Sequence, residues 1–353
     1  MGSPGPRAPS VVVLGDINMD ILARIEKFPA PGEDCLAPQL ELHLGGVGAN
    51  TAVALARWGA TARLAGAVGR DAFGDLALGW LRSAQVDVSH VERSDRAMTG
   101  LMFITVSPDG QRTFFGSRGA NAELHAPADA APVLQGAEAA HLMGYNFLSP
   151  SVEEFAGKLI AEARCRGRRV SLDVGMAPSR QIPRKILQVA GKVDILFAGL
   201  EEAATLTGQR DAGSAFQALE RSGAQEVVLK LGEKGCLVRE SGALCEAPPF
   251  AVPATDSTGA GDAFAAAFLC ARLRGWPRRE AALLANAAGA AAACVVGAGE
   301  NMPAPQQIVH LLRCGRFDAG WETVRVRLLD HLSRAAGMED TEHSSGGWNE
   351  ASA

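Results

Sequence analysis

The chain has few aromatic residues, and its cysteines form no ordered pattern. Aromatic side chains make up 5% of the 353 residues and include a single tyrosine, Tyr145, so there is little material for a site built from stacked rings. The seven cysteines are scattered, odd in number and lack CxxC spacing, which is typical of reduced thiols and argues against a zinc site. We expect reduced thiols, mostly small core residues, in a cytoplasmic protein.

Charge and hydropathy exclude two further classes of partner. The net charge of -5 argues against a nucleic-acid surface, and the basic cluster at residues 164–169 is typical of a solvated helix end. Residues 281–299 carry no charge, but they are mostly alanine and glycine with Asn286 inside. We therefore expect a buried helix there, and no contact with a membrane. Residues 1–9 are rich in glycine and proline and have no apolar segment, so they are not a secretory signal.

Strand and helix signals alternate along most of the chain. A short buried strand at Val11–Gly15 is followed, after residue 130, by strand patterns near 139–143, 170–174, 194–197 and 226–230. Helical patterns separate these strands near 152–165, 182–189 and 212–222. This alternation predicts an α/β fold with a Rossmann-like, doubly wound and mostly parallel sheet flanked by helices.

Two other segments predict a separate, smaller β-sheet. They span about 18–44 and 98–118, and Pro108-Asp109-Gly110 in the second is typical of a hairpin turn. Beyond Asp262 the chain turns helical, with 280–295 as the longest run. We expect one domain over residues 10–332, with disordered ends at 1–9 and 333–353.

The most informative motif is Asp256-Ser257-Thr258-Gly259-Ala260-Gly261-Asp262, which runs directly into an apolar helix. Unpaired N–H groups at a helix N-terminus and the positive end of its dipole favour phosphate. A carboxylate at the same place, Asp262, is useful if it accepts a proton from a hydroxyl that attacks a phosphoryl group. The plainer interpretation is a tight glycine turn with Asp262 as a cap.

A second glycine motif, Gly45-Gly46-Val47-Gly48-Ala49-Asn50-Thr51, lies between a strand and a helix. It fails as a dinucleotide fingerprint because Thr51 stands at the third glycine position, and no GxxxxGK[ST] occurs, which excludes a P-loop NTPase. Glycines here let the backbone approach a small polar ligand, with Asn50 offering donor and acceptor. Close packing of the helix start is an equally good explanation.

In order and spacing, the two motifs together resemble those of the PfkB carbohydrate kinase family, also called ribokinase-like, and the resemblance covers roughly residues 10–312. It implies a Rossmann-like domain with a small β-sheet lid over the substrate, a lid that in many members also forms a homodimer contact. It further implies transfer of phosphate from ATP, with Mg²⁺, to a primary hydroxyl of a small sugar.

The resemblance also assigns roles to individual positions. Asp262 is implied as the catalytic base, beside an anion hole at Gly259, Ala260 and Gly261. The implied sugar contacts are Asn18, Asp20, Gly45, Gly46, Asn50 and Asn146. The implied ATP contacts are Lys230, Gly232, Gly235 and Asn286. From the residues alone, Asn18 and Asp20 are typical of a polar turn, and Asn286 of a satisfied core amide.

Cation sites follow from the same resemblance. Glu202 is implied to position Mg²⁺ through water, and Asp256 and Thr258 to hold a monovalent cation such as K⁺. Gly199 stands where the family often has the Asn of Asn-x-x-Glu, so either magnesium handling is weaker or water and Glu202 alone supply it. Val47 replaces the Lys common in true ribokinases, which counts against ribose as the substrate.

Several alternatives remain open. The substrate could instead be a nucleoside or 2-keto-3-deoxygluconate, although scarce aromatic residues disfavour a nucleoside base. A phosphosugar would need a basic site, for which Arg118 is a candidate. From another class, the chain could be a non-catalytic regulator that binds a sugar or a nucleotide, but the intact Asp262 and its glycines argue against this.

Overall fold

The computed structural model describes residues 8–108 and 111–336. Its strands are β1 Ser10–Leu14, β2 Asn18–Arg24, β3 Leu40–Gly45, β4 Thr61–Gly69, β5 Asp87–Ser94, β6 Gly100–Val106, β7 Arg112–Ser117, β8 Ala139–Met143, β9 Arg169–Asp173, β10 Ile195–Gly199, β11 Glu226–Lys230, β12 Cys236–Glu240 and β13 Ala243–Ala247. Its α-helices are α1 Val47–Arg57, α2 Ala72–Ser83, α3 Pro150–Cys165, α4 Met176–Gln181, α5 Pro183–Ala190, α6 Leu200–Thr207, α7 Ala212–Glu220, α8 Ala260–Leu273, α9 Arg278–Ala293, α10 Pro305–Cys314 and α11 Ala319–Ala336.

The larger sheet has the strand order β13-β12-β11-β10-β9-β8-β1-β4-β5. Neighbouring strands from β11 through β10, β9, β8, β1 and β4 to β5 pair in parallel, and β12 and β13 add an antiparallel edge. The predicted mostly parallel, doubly wound sheet is therefore confirmed. Because the carboxyl ends of parallel strands share one edge, residues that follow β1, β9 and β11 are brought together there.

Both faces of this sheet are covered, which explains why its strands are apolar at nearly every position. In β1, Val11 and Val13 belong to the buried cluster that also contains residues of helices α1, α2, α8 and α9, whereas Val12 and Leu14 belong to the cluster that contains residues of α3, α5, α6 and α7. This alternation follows from the two-residue repeat of side chains along a strand. Helix α9 confirms the predicted buried helix at 281–299, although it ends at Ala293.

A second sheet of four strands has the order β3-β2-β6-β7 and is called the lid here. Strand β2 pairs antiparallel with β3 and parallel with β6, and β6 pairs antiparallel with β7. The two segments predicted as a separate β-sheet therefore form it. Residues Asp109 and Gly110 of the predicted hairpin turn lie outside the described residues.

The C-terminal part differs from the prediction. Helix α11 has 18 residues against 16 in α9, so the run at 280–295 is not the longest helix. Trp321, Val324 and Leu328 bury the inner face of α11 against the core, a spacing that the sequence interpretation overlooked. The helix continues to Ala336, past the predicted domain end at 332. Residues 1–7 and 337–353, which include most of both predicted disordered ends, lie outside the described ranges.

The seven cysteines are free thiols, as expected, but the prediction that most lie in the core is wrong. Only Cys236 and Cys270 are buried. Among the helices that the structure describes, none combines the length and apolar character needed to cross a bilayer.

Candidate active site

The turn before helix α8 has a conformation that only glycine adopts easily. Gly259 has φ of 76°, and a Cβ there would lie 2.6 Å from Cε of Met302 and 2.8 Å from Cβ of Ala298. Gly259 thereby reverses the chain so that α8 starts at Ala260 with Asp262 in its first turn. The sequence motif therefore marks a helix start, as predicted.

Backbone amides at this helix start are available to a ligand. The Ala260 N–H donates to the carbonyl of Ser257 at 3.2 Å, so it is used within the turn. The N–H groups of Gly259, Gly261 and Asp262 have no acceptor in the described part of the chain. Together with the helix dipole, these free donors suit an anion.

Asp262 is held by a side chain from a distant helix. Asn50 in α1 donates from Nδ2 to Oδ2 of Asp262 at 2.9 Å, and its Oδ1 accepts from the Gly299 N–H at 3.0 Å. Burial raises the pKa of Asp262 to about 7, although the Asn50 hydrogen bond acts in the opposite direction. A carboxyl with this pKa can accept a proton near neutral pH.

Three charged side chains surround the same turn from the sheet edge. Lys230, the last residue of β11, donates to Oδ2 and Oδ1 of Asp173 at 2.7 and 3.0 Å. Burial alone would lower the pKa of Lys230, but Asp173 and Glu202 raise it above its ordinary value, so the ammonium stays charged. A Cβ on Gly261 would lie 3.3 Å from Nζ of Lys230, which places this cation beside the free amides.

Glu202 lies in the first turn of α6, where Oε2 accepts from the Gly199 N–H at 2.7 Å. Burial raises the pKa of Glu202, and Lys230 lowers it. Within the described residues, no group of three or more His, Cys, Asp or Glu side chains could hold a metal ion.

A cavity of about 640 Å³ opens next to the turn. Its lining includes all four predicted ATP contacts, together with three residues of the turn, Ser257, Ala260 and Gly261. These four are Lys230, Gly232, Gly235 and Asn286. Asn286, however, donates from Nδ2 to the carbonyl oxygens of Ala247 and Pro248 at 3.1 and 2.9 Å. These hydrogen bonds stabilise the wall of the cavity. Lys230 to Gly235 also continue into an antiparallel β-hairpin with β12.

The glycines of the second motif allow the helix start to touch the first two strands. A Cβ on Gly46 would lie 2.4 Å from the Asp16 carbonyl oxygen, and one on Gly48 would lie 2.4 Å from the Gly15 carbonyl carbon. A Cβ on Gly45 would lie 2.2 Å from both carboxylate oxygens of Asp20. The close-packing explanation therefore accounts for all three glycines.

Polar side chains of β2 lie where the lid meets the sheet. The Asn18 Oδ1 accepts from Nδ2 of Asn121 at 2.9 Å. Asp20 is buried, its Oδ1 has no partner among the described residues, and burial raises its pKa to about 7. An unpaired buried carboxyl oxygen at this position suits a hydroxyl of a ligand.

Two residues near the site were not assigned from the sequence. Asn121 exchanges hydrogen bonds with the backbone of Ile17, accepting from N–H at 2.8 Å and donating to the carbonyl at 3.0 Å, so it sets the turn that presents Asn18. Tyr145 packs against Gly175, and burial raises the pKa of its hydroxyl. Two features of the sequence could have identified these residues: the polar stretch around Asn121, and the fact that Tyr145 is the single tyrosine.

Asn146 and Arg118 have partners within the protein. Asn146 is 1% exposed, and its Oδ1 accepts from the Met143 N–H at 2.8 Å, while its Nδ2 is buried without a partner among the described residues. Arg118 pairs with both carboxylate oxygens of Asp16, at 2.8 and 2.9 Å, and donates to Oγ of Ser149 at 3.1 Å. The Arg118 guanidinium is thus engaged, which weakens the case for a phosphosugar site there.

The predicted monovalent-cation residues also have a partner. Arg112, at the start of lid strand β7, contacts Oδ1 of Asp256 and Oγ1 of Thr258 through Nη1. The site predicted for K⁺ is therefore filled by a guanidinium, and its residues do not fit an additional cation.

Comparisons with known proteins agree with this arrangement. A family model described as pfkB family carbohydrate kinase matches residues 8–305. The chain is 28% identical over 308 residues to a ribokinase of Haemophilus influenzae, covering 86% of this chain and 98% of the relative. It is 31% identical over 311 residues to a 2-dehydro-3-deoxygluconokinase of Thermoproteus tenax, covering 86% and 94%.

Among solved structures, the Arabidopsis thaliana ribokinase complexed with ribose and ATP superposes with a TM-score of 0.77 at 29% identity, covering 88% of this chain and all of that one.

Proposed function

Since this chain belongs to the pfkB family of carbohydrate kinases and is a sugar kinase, we propose that it transfers the γ-phosphoryl group of ATP to a primary hydroxyl of a small sugar, with Asp262 as the base. The observation that carries this proposal is a single one. A carboxyl with a pKa raised to about 7 lies in the same helix turn as free backbone amides, beside a 640 Å³ cavity.

The proton has a defined destination. Oδ2 of Asp262 accepts from Asn50, which leaves Oδ1 to receive the hydroxyl proton. The deprotonating oxygen attacks the γ-phosphorus while the bond from phosphorus to the bridging oxygen of ADP breaks. The amides of Gly261 and Asp262 and the Lys230 ammonium face the negative charge on the transferred group. Mg²⁺ bound with ATP would neutralise phosphate charge, and Glu202 and Asp173 are the carboxylates that would hold it through water.

The sugar would lie between the lid and the first strand. Asn18 and Asp20 of β2 are the best supported hydroxyl contacts, because Asp20 presents a buried unpaired oxygen. Gly45 and Gly46 allow this approach without contributing side chains. Asn50 is 4% exposed and uses both amide atoms within the protein, so we assign it to positioning Asp262. Asn146 keeps one free donor, Nδ2, for a ligand.

Two sugars are the leading candidates. Ribose and 2-keto-3-deoxygluconate are named by relatives at 28 and 31% identity, respectively, and Val47 counts against the first of them. The decisive experiment measures ADP formation with ribose, fructose, 2-keto-3-deoxygluconate, nucleosides and phosphosugars, for the native chain and Asp262→Asn. We expect one free sugar or sugar acid to be phosphorylated on its CH₂OH group, and Asp262→Asn to lose nearly all turnover. Binding of ATP without turnover of any compound would support the regulator instead, and retained turnover in Asp262→Asn would exclude this base.

A homodimer through the lid is part of the proposal. The register aligns Leu42, Ile21, Phe103 and Phe115 in one row across the four strands, on one face of the lid. Leu42 is 43% and Phe115 58% exposed at the two ends of the row. A second copy of the lid would cover this apolar row. Light scattering should give twice the chain mass, and Phe115→Glu should give the monomer; a monomeric native chain would contradict the proposal.

A further inference from the structure

The lid strand β7 reaches across the site to the turn that precedes α8. In the sheet register Arg112 lies opposite Val106, which in turn lies opposite Arg24 of β2. Arg24 is four residues from Asp20, so the two-residue repeat of strands places Arg112 on the face of the lid that carries Asp20. The side chain of Arg112 is only 17% exposed, and that of Asp256 is fully buried.

The carboxylate of Asp256 is the centre of this contact. Its Oδ1 accepts from the Thr258 N–H at 2.7 Å and also faces Arg112, and its Oδ2 accepts from the Gly297 N–H at 2.7 Å. Asp256 thus ties together the turn before α8, the loop after α9 and the lid. A buried carboxylate with three such contacts still needs a positive charge nearby, because burial penalises the ionised form.

We propose that the guanidinium of Arg112 is a built-in replacement for a monovalent cation at Asp256 and Thr258, and that it positions the Gly259–Asp262 turn when the lid is in place. The kinase then needs no K⁺. A free cation and Nη1 cannot share the same two oxygens, because the two positive charges would repel each other at contact distance. The geometry of the turn depends instead on a residue of the lid.

This inference extends the proposed function, since the positioned turn carries the base and the free amides. Arg112 touches neither of them; it acts through Asp256 and Thr258, which precede Asp262 by six and four residues, and is a positioning residue. Removing it leaves the Asp256 carboxylate buried and uncompensated, with space for a small cation. An Arg112→Ala variant should therefore become cation-dependent, which loss of packing alone would not produce.

The first test needs no substrate. Melting temperatures are measured in KCl, NaCl and N-methylglucamine chloride at equal ionic strength, and with millimolar guanidinium. We expect the native chain to melt alike in all three salts, and Arg112→Ala to melt lower and to regain stability with K⁺ or guanidinium. Arg112→Lys, which keeps a tethered cation, should remain insensitive. Arg24→Ala is the matched control, because Arg24 is another lid arginine, 57% exposed, that pairs with Glu41.

The second test measures turnover of the sugar identified in the substrate screen. Native turnover should be equal in the three salts, and Arg112→Ala should lose about 10–100-fold and recover with K⁺ or guanidinium. Activation of the native chain by K⁺, or an Arg112→Ala variant that no cation stabilises or rescues, overturns the inference. If no sugar is phosphorylated, the proposed function fails. The melting experiment still tests whether Arg112 replaces a monovalent cation.

Discussion

Asn50 donates to Oδ2 of Asp262 across 2.9 Å, and this bond joins two helices whose contacting residues are 212 positions apart in the chain. The second amide atom of Asn50 accepts from Gly299, so the side chain cannot turn away from the carboxylate without losing both bonds. This relationship fixes which carboxylate oxygen is free for proton transfer. It also lowers the pKa of Asp262, in opposition to burial, which raises it to about 7.

The first prediction concerns the pH dependence of catalysis. Asp262 must be ionised to accept a proton, and its folded pKa is raised to about 7, so kcat/KM should fall tenfold per pH unit below that value. The measurement is kcat/KM between about pH 5 and 9 in a direct ADP assay. The pKa of Asp20 is also raised to about 7, and the variant Asp20→Asn distinguishes its titration from that of Asp262. That variant should have a higher KM but keep the fall of kcat/KM at low pH, which is called the acid limb here. If the acid limb disappears in Asp20→Asn, the titrating group is Asp20.

The second prediction concerns Asn50 itself. Asn50→Ala removes a hydrogen bond that lowers the pKa of Asp262, so the acid limb should move to higher pH. We also expect kcat on the alkaline plateau to drop about 10–100-fold, because the base is no longer oriented. Thermal unfolding of the variant is the control for general damage. An unshifted limb with unchanged kcat would show that this bond does not hold the base.

Much of the fold was predictable because it depends on local patterns. The strands at 139–143 and 226–230 coincide with β8 and β11, since apolar runs bounded by turn residues have few other solutions. The position of Asp262 in the first turn of a helix was predictable for the same reason. Helix α11 was missed because its buried positions are spread among charged residues and depend on a surface formed by other helices.

The contacts that organise the site were not predictable, because they join residues far apart in the chain. Asp173 is one polar residue at the end of a strand, and only the neighbouring β10 and β11 bring Lys230 to it. Its position at a carboxyl end was a usable signal. Arg112 carried no such signal: nothing in its local sequence indicates Asp256, 144 positions later. The contact of Arg112 with Asp256, one of the residues expected to hold K⁺, therefore becomes visible only once the lid is placed.

The third prediction concerns stability. Because the folded pKa of Asp262 is above its ordinary value of 3.8, the folded state binds this proton more tightly than the unfolded chain does. The associated stability is present at low pH and is lost as pH rises towards 7. The amide side chain introduced by Asp262→Asn does not ionise, so the free energy of unfolding of this variant does not fall in this pH range. Without ligands, the variant should therefore be more stable than the native chain at pH 8, by about 2–4 kcal/mol.

Urea unfolding of both chains at several pH values checks this. The difference in free energy of unfolding should shrink as pH falls and vanish near pH 4. Asp211→Asn is a matched control, because Asp211 caps α7 with a pKa lowered by its bonds to Ser214 and should show the opposite sign. An Asp262→Asn variant less stable than the native chain at pH 8 would contradict the raised pKa.

The fourth prediction separates the two glycines of the anion site. Gly259→Ala forces a side chain into a left-handed conformation and against Met302 and Ala298, so it should lower the free energy of unfolding by about 1–3 kcal/mol. Gly261→Ala meets only the flexible Lys230 ammonium, at 3.3 Å, and should fold normally. Its methyl group enters the 640 Å³ cavity beside the free amides, so ATP binding and turnover should fall. The reverse pattern, with Gly261→Ala unfolded and fully active Gly259→Ala, would contradict this assignment.

The last prediction concerns the buried pair of Lys230 and Asp173. Lys230→Met leaves Asp173 next to Glu202 and Asp262 without the cation, so the free energy of unfolding should fall by about 3–5 kcal/mol. In Lys230→Met/Asp173→Asn both charges are gone, and most of the stability should return, because a neutral pair avoids the burial cost. Turnover should not return, since the ammonium that faces the transferred phosphoryl group is absent. Urea unfolding and kcat of the three chains distinguish the roles: recovery of both stability and turnover in the double variant would show that Lys230 only supports the fold.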